Sequence, residues 1–146
     1  MKKVLFAAAL ILGYNLNVFA NDPIVNEKVL EAFNKTFQNV EELSWTANDH
    51  SYEANFKQSQ ITTRVTYDKQ GNIIKTIRSY YEQHLPIIIL AKIKNKFSDQ
   101  KIFGVTEISS EEGMFYYIVL EDDKNWTEIK ADTYGAINVQ KKFKKG

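Results

Sequence analysis

The sequence repeats one hydrophobic pattern after 60 residues, and this repeat restricts the possible folds more than any other feature. In each copy, four apolar residues follow the spacing of one helix face: Val29, Leu30, Phe33 and Phe37, then Ile89, Leu90, Ile93 and Phe97. That spacing gives a helix a single apolar stripe. A chain with such a repeat is expected to build one structural unit twice and to pack the two copies together.

After each helical stripe the offset becomes 64 residues, and the apolar residues alternate as they do in strands. The matched pairs are Tyr52 and Tyr116, Phe56 and Leu120, Val65 and Ile129, Asp68 and Asp132, Gly71 and Gly135, and Ile73 and Ile137. The second copy has four extra residues in the region of 109–113, a predicted hairpin where an insertion costs little. Each Asp-x-x-Gly predicts a turn between strands, because glycine readily adopts a positive φ.

The repeat predicts an α+β fold: a tandem repeat of a helix plus a four-stranded antiparallel sheet, with both helices on one face of a shared sheet. One copy is of a size that buries only a marginal core, so the two copies should pack as one unit. We expect the copies at about 24–83 and 84–146. The predicted helices cover 24–39 and 86–98, and the predicted strands cover 42–47, 51–58, 61–68, 72–81, 102–108, 114–121, 125–132 and 136–143.

Residues 1–20 have the pattern of a secretory signal peptide. Lys2 and Lys3 precede an apolar run over 4–13, and Val18 and Ala20 occupy the −3 and −1 positions of a cleavage site. The run is about half of the roughly 20 residues that a membrane span needs. We therefore expect cleavage near Ala20 and a periplasmic or secreted mature protein, 21–146, without a membrane span. The absence of cysteine fits such an oxidising compartment.

The charge of the mature chain argues against a nucleic-acid partner. Cleavage would remove two of the 19 basic residues and none of the 18 acidic ones, which leaves a net charge of −1. Four of the remaining bases lie in the last six residues, at Lys141, Lys142, Lys144 and Lys145, so the body carries −5 without them. Nucleic acid requires a basic face, which this body lacks.

The sequence offers no set of catalytic or metal-binding side chains. Its two histidines, His50 and His84, fall in a predicted hairpin turn and in the connection between the copies, and neither has a second histidine nearby. Asp49 and Ser51 flank His50, but neighbours on one turn cannot face one another as a hydrolase triad requires. The acidic run 121–123 lacks the ligand spacing of a calcium loop. We therefore expect no enzymatic activity, no metal and no cofactor.

One strand of the second copy is apolar on both faces. Strand alternation turns Tyr116, Ile118 and Leu120 towards the helix, so the residues between them face the opposite way. We expect those residues and a nearby tryptophan to form a solvent-exposed apolar patch, flanked by side chains of the first copy. The predicted partner-binding residues on this helix-free face are Phe115, Tyr117, Val119, Trp126, Arg64, Arg78 and Tyr80.

Two explanations of the patch are open at this stage. Exposed apolar patches of this kind usually mark a contact site, and Tyr and Trp dominate binding hot spots. The patch would be structural instead if the chain's own ends, a dimer mate or the curvature of the sheet covered it.

The chain resembles the PepSY-like domain family of exported Bacteroidetes proteins, whose fold is similar to that of the β-lactamase inhibitory protein. The resemblance covers about 25–145 and lies in Leu85-Pro86, the stripe ending at Phe97, Ile102, Val105, the run 116–120 and Asp132-x-x-Gly135. It implies export, a helix packed on a four-stranded antiparallel sheet twice, and binding rather than catalysis. The chain lacks the cysteines of the classical inhibitor, so its disulfide-held loops do not carry over.

These observations lead to two functional hypotheses. The first is an exported, non-enzymatic protein-binding module with an unknown protein partner, inhibitory toward a peptidase or another envelope enzyme. The alternative is an envelope structural or accessory protein whose apolar sheet face is a homo-oligomer interface. We expect a monomer or a weak dimer.

Overall fold

The structure is a computed structural model that describes residues 23–146. The predicted signal peptide, residues 1–20, lies outside the described residues. In chain order the elements are α1 (Glu27–Thr36), β1 (Glu41–Ala47), β2 (Ser51–Gln58), β3 (Ile61–Asp68), β4 (Ile73–Tyr80), a 3-10 turn (Glu82–His84), α2 (Ile87–Lys96), β5 (Lys101–Ser110), β6 (Gly113–Glu121), β7 (Asn125–Asp132) and β8 (Ile137–Lys144). The expected helices and strands are present, and their ends differ from the predicted ones by at most three residues.

The eight strands form one antiparallel sheet in the order of the chain, β1 to β8. Strand β4 pairs with β5, so the sheet continues across the connection that contains α2. The predicted α+β class with a shared antiparallel sheet is therefore confirmed for the described residues.

The pairing register places both helices on the same face of the sheet. Val65, which packs under α1, lies opposite Thr76. Tyr80 follows four residues later on the same strand, hence on the same face, and lies opposite Val105, which packs under α2. We call this the covered face and the opposite, helix-free face the open face.

Each helix covers its own hydrophobic cluster. Val29 and Phe33 of α1 pack on Ala54, Phe56, Val65 and Tyr67. Ile89 and Ile93 of α2 pack with Tyr80, Leu85, Val105, Tyr116, Ile118, Leu120, Ile129 and Ala131. Phe33 and Ile93, the matched central residues of the two predicted stripes, are 3% and 1% exposed, so the predicted helix faces are confirmed.

Both Asp-x-x-Gly segments form the expected turns between strands. Gly71 and Gly135 have φ of +87° and +77°. The Oδ1 atom of Asp68 accepts hydrogen bonds from the backbone amides of Gln70 and Asn72, at 2.8 and 2.9 Å. Asp132 accepts equivalent bonds from Tyr134 and Ala136, at 2.9 Å each. The aspartate therefore closes each turn, and the glycine supplies the left-handed residue.

Candidate functional site

The open face of β6 and β7 carries the predicted apolar residues. Tyr117 lies opposite Thr106 and Lys130, and Val119 lies opposite Glu128. Phe115 on β6 and Trp126 on β7 follow the same alternation. Ile118, which lies between Tyr117 and Val119 on β6, is buried under α2. Tyr117 is 37% exposed, whereas Phe115, Val119 and Trp126 are half-buried. The structure thus brings these four predicted residues together on the open face.

Two further rings, which sequence reasoning missed, extend the patch. Phe103 is 55% exposed and meets Trp126 edge to face, with 4.9 Å between the ring centroids. Phe143 of β8 lies directly opposite Trp126 and is 39% exposed. These contacts explain why Trp126 is only half-buried rather than exposed. We call the set the aromatic cluster: Phe103, Phe115, Tyr117, Val119, Trp126 and Phe143.

Lysine side chains border the aromatic cluster. The Nζ atom of Lys130 lies 3.8 Å from the centroid of the Phe115 ring, and Lys145 Nζ lies 4.6 Å from that of Trp126. Lys145 also pairs with Glu121 at 2.8 Å. A cation over a ring face is attracted by the π electrons of the ring. Charged side chains therefore lie directly beside the apolar ones: on β7, Lys130 and Glu128 are opposite Tyr117 and Val119.

Arg64 lies on the open face, as predicted, but not beside the aromatic cluster. It is on β3, opposite Asn55 and Ile77, with β4 and β5 between it and β6. Its Nε atom donates to Asn55 Oδ1 at 3.0 Å and lies 3.4 Å from Glu53 Oε1. Arg64 thus forms part of a separate polar area of the same face.

Arg78 and Tyr80 lie on the covered face, so the prediction that they line the open face is wrong. The register of β3 and β4 is irregular near Ile74: Thr66 pairs with Lys75, and Tyr67 pairs with Ile73. Ile74 is therefore an extra residue on β4 without a partner on β3. Such an extra residue exchanges the two faces for all the residues of β4 that follow it. Tyr80 is consequently 4% exposed, within the cluster under α2.

On the covered face, Arg78 and Tyr80 hold a buried carboxylate. The Tyr80 hydroxyl donates to Glu107 Oε2 at 2.7 Å, and Arg78 Nη1 donates to Oε1 at 3.0 Å. Glu107 is only 7% exposed. Burial, together with the hydrogen bond to Glu107, raises the pKa of the Tyr80 hydroxyl. Both carboxylate oxygens are thus occupied, which satisfies a charge that would otherwise be costly to bury.

The histidines and acidic residues do not assemble into a site. His50 lies in the exposed β1–β2 turn, and the His84 ring is exposed, 5.8 Å from that of Tyr80. Asp122 accepts backbone hydrogen bonds from Lys124 and Asn125 at 2.8 and 2.7 Å, and these bonds lower its pKa to about 2. Within residues 23–146, no three His, Cys, Asp or Glu side chains gather where they could hold a metal ion.

Comparison with solved structures finds the same architecture in other proteins, from species of Bacteroides. A BLIP-like protein from Bacteroides fragilis matches with a TM-score of 0.64 at 16% sequence identity, over 85% of this chain and 90% of that chain. The chain has a BLIP-like fold. A DUF2874 family protein from Bacteroides ovatus matches with a TM-score of 0.61 at 16% identity, over 84% of this chain and 89% of that one.

A third structure with the BLIP-like fold comes from Bacteroides eggerthii and is provisionally named as a periplasmic protein. It matches with a TM-score of 0.60 at 16% identity, over 84% of this chain and 90% of that chain. No protein-family model and no curated protein sequence matches the chain. Among residues 23–146, neither helix has the length and apolarity needed to cross a bilayer.

Proposed function

We propose that this chain is an exported, non-enzymatic protein-binding module that uses the aromatic cluster. The observation that carries the proposal is a group of aromatic rings, with lysines beside them, on a sheet face that neither helix of the described residues covers. Tyr117 and Phe103 at 37% and 55% exposure would lose a large apolar area from water on binding. Aromatic residues in such positions supply most of the energy of typical interfaces.

We also propose that residues 1–20 direct export and are cleaved near Ala20, which gives a periplasmic or secreted product. The charged start, the apolar run and the small residue at the cleavage site support it. The provisional periplasmic name of the Bacteroides eggerthii neighbour agrees with it.

We also propose that residues 21–146 form a PepSY-like domain of two repeats, about 24–83 and 84–146. Each helix is followed by four strands, and each set of strands has an Asp-x-x-Gly turn at the same place. The BLIP-like fold of the neighbours agrees with this organisation, and inhibition of an envelope enzyme, such as a peptidase, is the activity we infer for the module.

The test is capture of a partner from periplasmic extract by residues 21–146, followed by titration with the purified partner. Tyr117→Ala and Phe103→Ala should each weaken binding by at least about tenfold, as hot-spot truncations do. Tyr134→Ala is the matched control, because Tyr134 is 84% exposed but lies in the β7–β8 turn. Unchanged affinity in both cluster variants would disprove the role of the cluster.

Sedimentation of the purified protein tests the alternative, in which the aromatic cluster joins two copies of the chain. A dimer that dissociates in Tyr117→Ala but persists in Tyr134→Ala would assign the cluster to self-association. A monomer at the concentration used for capture would leave the cluster available to another protein.

A further inference from the structure

A cavity of about 380 Å³ opens on the open face beside the aromatic cluster, across strands β3 to β6. Its volume is within the range of roughly 300–1,000 Å³ that is typical of small-molecule sites. It shares Phe103 and Val119 with the aromatic cluster, but the rest of its lining consists mainly of hydroxyl-bearing residues and contains no lysine. The inference drawn from it goes beyond the proposed protein-binding function.

Three hydroxyl side chains form a row across the floor of this cavity. Thr62 lies opposite Ser79, and Ser79 lies opposite Thr106. Neighbouring strands are about 4.8 Å apart, so the three residues span about 10 Å. Thr62 and Ser79 are exposed and Thr106 is half-buried, so the row faces the solvent. Each hydroxyl can both donate and accept a hydrogen bond.

Aromatic rings form the sides of the cavity. Tyr81 is 64% exposed and Phe103 is 55% exposed, and both line the cavity. The Phe103 ring also makes the edge-to-face contact with Trp126. Gly104 also lines the cavity, and a Cβ atom built on it would meet no heavy atom within 4 Å. The missing side chain of Gly104 therefore keeps the cavity open.

The chemistry of this lining selects the ligand. The described residues that line the cavity carry no charged side chain; they are hydroxyl, amide, aromatic and aliphatic groups. A ligand that matches them is neutral, presents several hydroxyl groups and has an apolar face that can stack on a ring. Sugars in their pyranose form have these three properties. The spacing between neighbouring hydroxyl groups of the row, about 4.8 Å, is also close to the length of one pyranose ring. We propose that the cavity binds a neutral oligosaccharide, two rings long, with its C–H faces on Tyr81 and Phe103.

The test is an amide chemical-shift titration of residues 21–146 with four neutral tetrasaccharides: cellotetraose, maltotetraose, mannotetraose and N-acetylchitotetraose. At least one should shift the amide signals of Thr62, Ser79, Gly104 and Thr106 at millimolar concentration. Gly104→Leu, which adds a side chain at a cavity-lining position where a Cβ atom would meet no heavy atom within 4 Å, should weaken that binding by at least tenfold. Ser79→Ala should weaken it severalfold.

Thr46→Leu is the control, because Thr46 is an exposed residue at the edge of the same face, and it should bind as the unmodified protein does. Shifts confined to other residues, or none with any of the four sugars, would overturn the proposal. A titration with p-cresol, which has the structure of a tyrosine side chain, tests whether the cavity binds an aromatic side chain of a protein partner instead. Shifts at the cavity with p-cresol alone would assign it to an aromatic side chain of a protein partner instead.

Discussion

The hydroxyl of Tyr80 on β4 donates a 2.7 Å hydrogen bond to the carboxylate of Glu107 on β5, at the seam between the strands that follow α1 and those that follow α2. Arg78 lies two residues before Tyr80 on the same face of β4, directly opposite Glu107, and its guanidinium neutralises the same carboxylate. The seam therefore holds a charged network next to the hydrophobic cluster under α2, to which Tyr80 belongs. The network gives β4 and β5 a specific partnership that apolar contacts alone do not impose.

Glu107→Ala should lower the free energy of unfolding by about 1–3 kcal/mol, the cost of leaving the buried Tyr80 hydroxyl without an acceptor. Glu107→Gln retains an acceptor and should cost less. Urea denaturation measures both. Glu53→Ala breaks the Arg64 pair on the open face and should cost less than about 1 kcal/mol, as solvent-exposed pairs do. A Glu107→Ala effect as small as that of Glu53→Ala would contradict a stabilising role for the network.

The protein should lose stability as the pH rises above about 10, the value at which tyrosine ionises in the unfolded chain. Burial raises the pKa of Tyr67 to about 12 in the folded protein, and burial and Glu107 raise that of Tyr80. A raised pKa means that the contribution is complete below pH 10 and is lost towards the folded value. Urea denaturation at several alkaline pH values, with tyrosinate absorbance as a second signal, measures this loss.

Tyr67→Phe separates the contribution of Tyr67 to the alkaline loss of stability from that of Tyr80. The Tyr67 hydroxyl is buried without a hydrogen-bond partner among the described residues, so its removal should not destabilise the protein near neutral pH. The variant should also lose less stability above pH 10. A neutral-pH loss above about 1 kcal/mol, the worth of an ordinary hydrogen bond, would indicate a partner for this hydroxyl.

The periodic parts of the fold could be predicted from the sequence because their signals are local. The positions of Phe33 and Ile93 on their helices follow from the 3.6-residue period. The turns at Gly71 and Gly135 follow from aspartate and glycine chemistry within four residues. Uninterrupted alternation along β6 predicts the open-face positions of Phe115, Tyr117 and Val119.

Strand irregularities cannot be predicted from the local pattern of one strand. The extra residue near Ile74 moves Tyr80 into the core, although alternation from Ile73 places it outside. The irregularity between Ile102 and Gly104 likewise turns Phe103 towards Trp126. A bulge depends on how two strands fit together and leaves little trace in either one. For Gly104, an isolated glycine inside a strand pattern was the available signal.

The turn glycines differ in what surrounds them, and this gives a matched pair of substitutions. A Cβ atom on Gly71 would lie 2.8 Å from the backbone oxygen of Lys28 in α1, whereas one on Gly135 would lie 2.8 Å from the Cδ atom of Lys92. Both variants incur the strain of a left-handed alanine, roughly 1–2 kcal/mol. The Lys92 side chain can move away, but helix backbone cannot without repacking.

Gly71→Ala should therefore cost at least about 1 kcal/mol more than Gly135→Ala, within the range seen for overpacked sites. Thermal or urea denaturation of the two variants checks the difference. Equal losses would mean that α1 shifts away from the β3–β4 turn as easily as Lys92 moves.

Acid should remove a contribution that comes from the β6–β7 turn. The backbone amides of Lys124 and Asn125, with the Gln100 side chain, lower the pKa of Asp122 to about 2, against about 3.9 in an unfolded chain. A lowered pKa means that this contribution is present above about pH 4 and is lost as the pH falls through about 2. Asp122→Asn should flatten stability over this interval, and Asp123→Asn, at the exposed neighbouring position, should not. Urea denaturation across that pH range compares them.

Ile93 of α2 provides the most direct test of how the second helix holds the sheet. Its side chain is 1% exposed and belongs to the cluster formed with Ile118, Leu120 and Ile129. Ile93→Ala should cost about 2–5 kcal/mol, because the lost apolar contacts leave a cavity that a close-packed sheet cannot fill. Ile88→Ala on the same helix is the control: Ile88 is 59% exposed, and its truncation removes little buried surface. If the two variants unfold at the same urea concentration, α2 contributes to the fold through its connections rather than through its buried face. Because Ile93 lies on the covered face, its truncation should leave the partner affinity of the folded protein unchanged, which separates the core from the aromatic cluster.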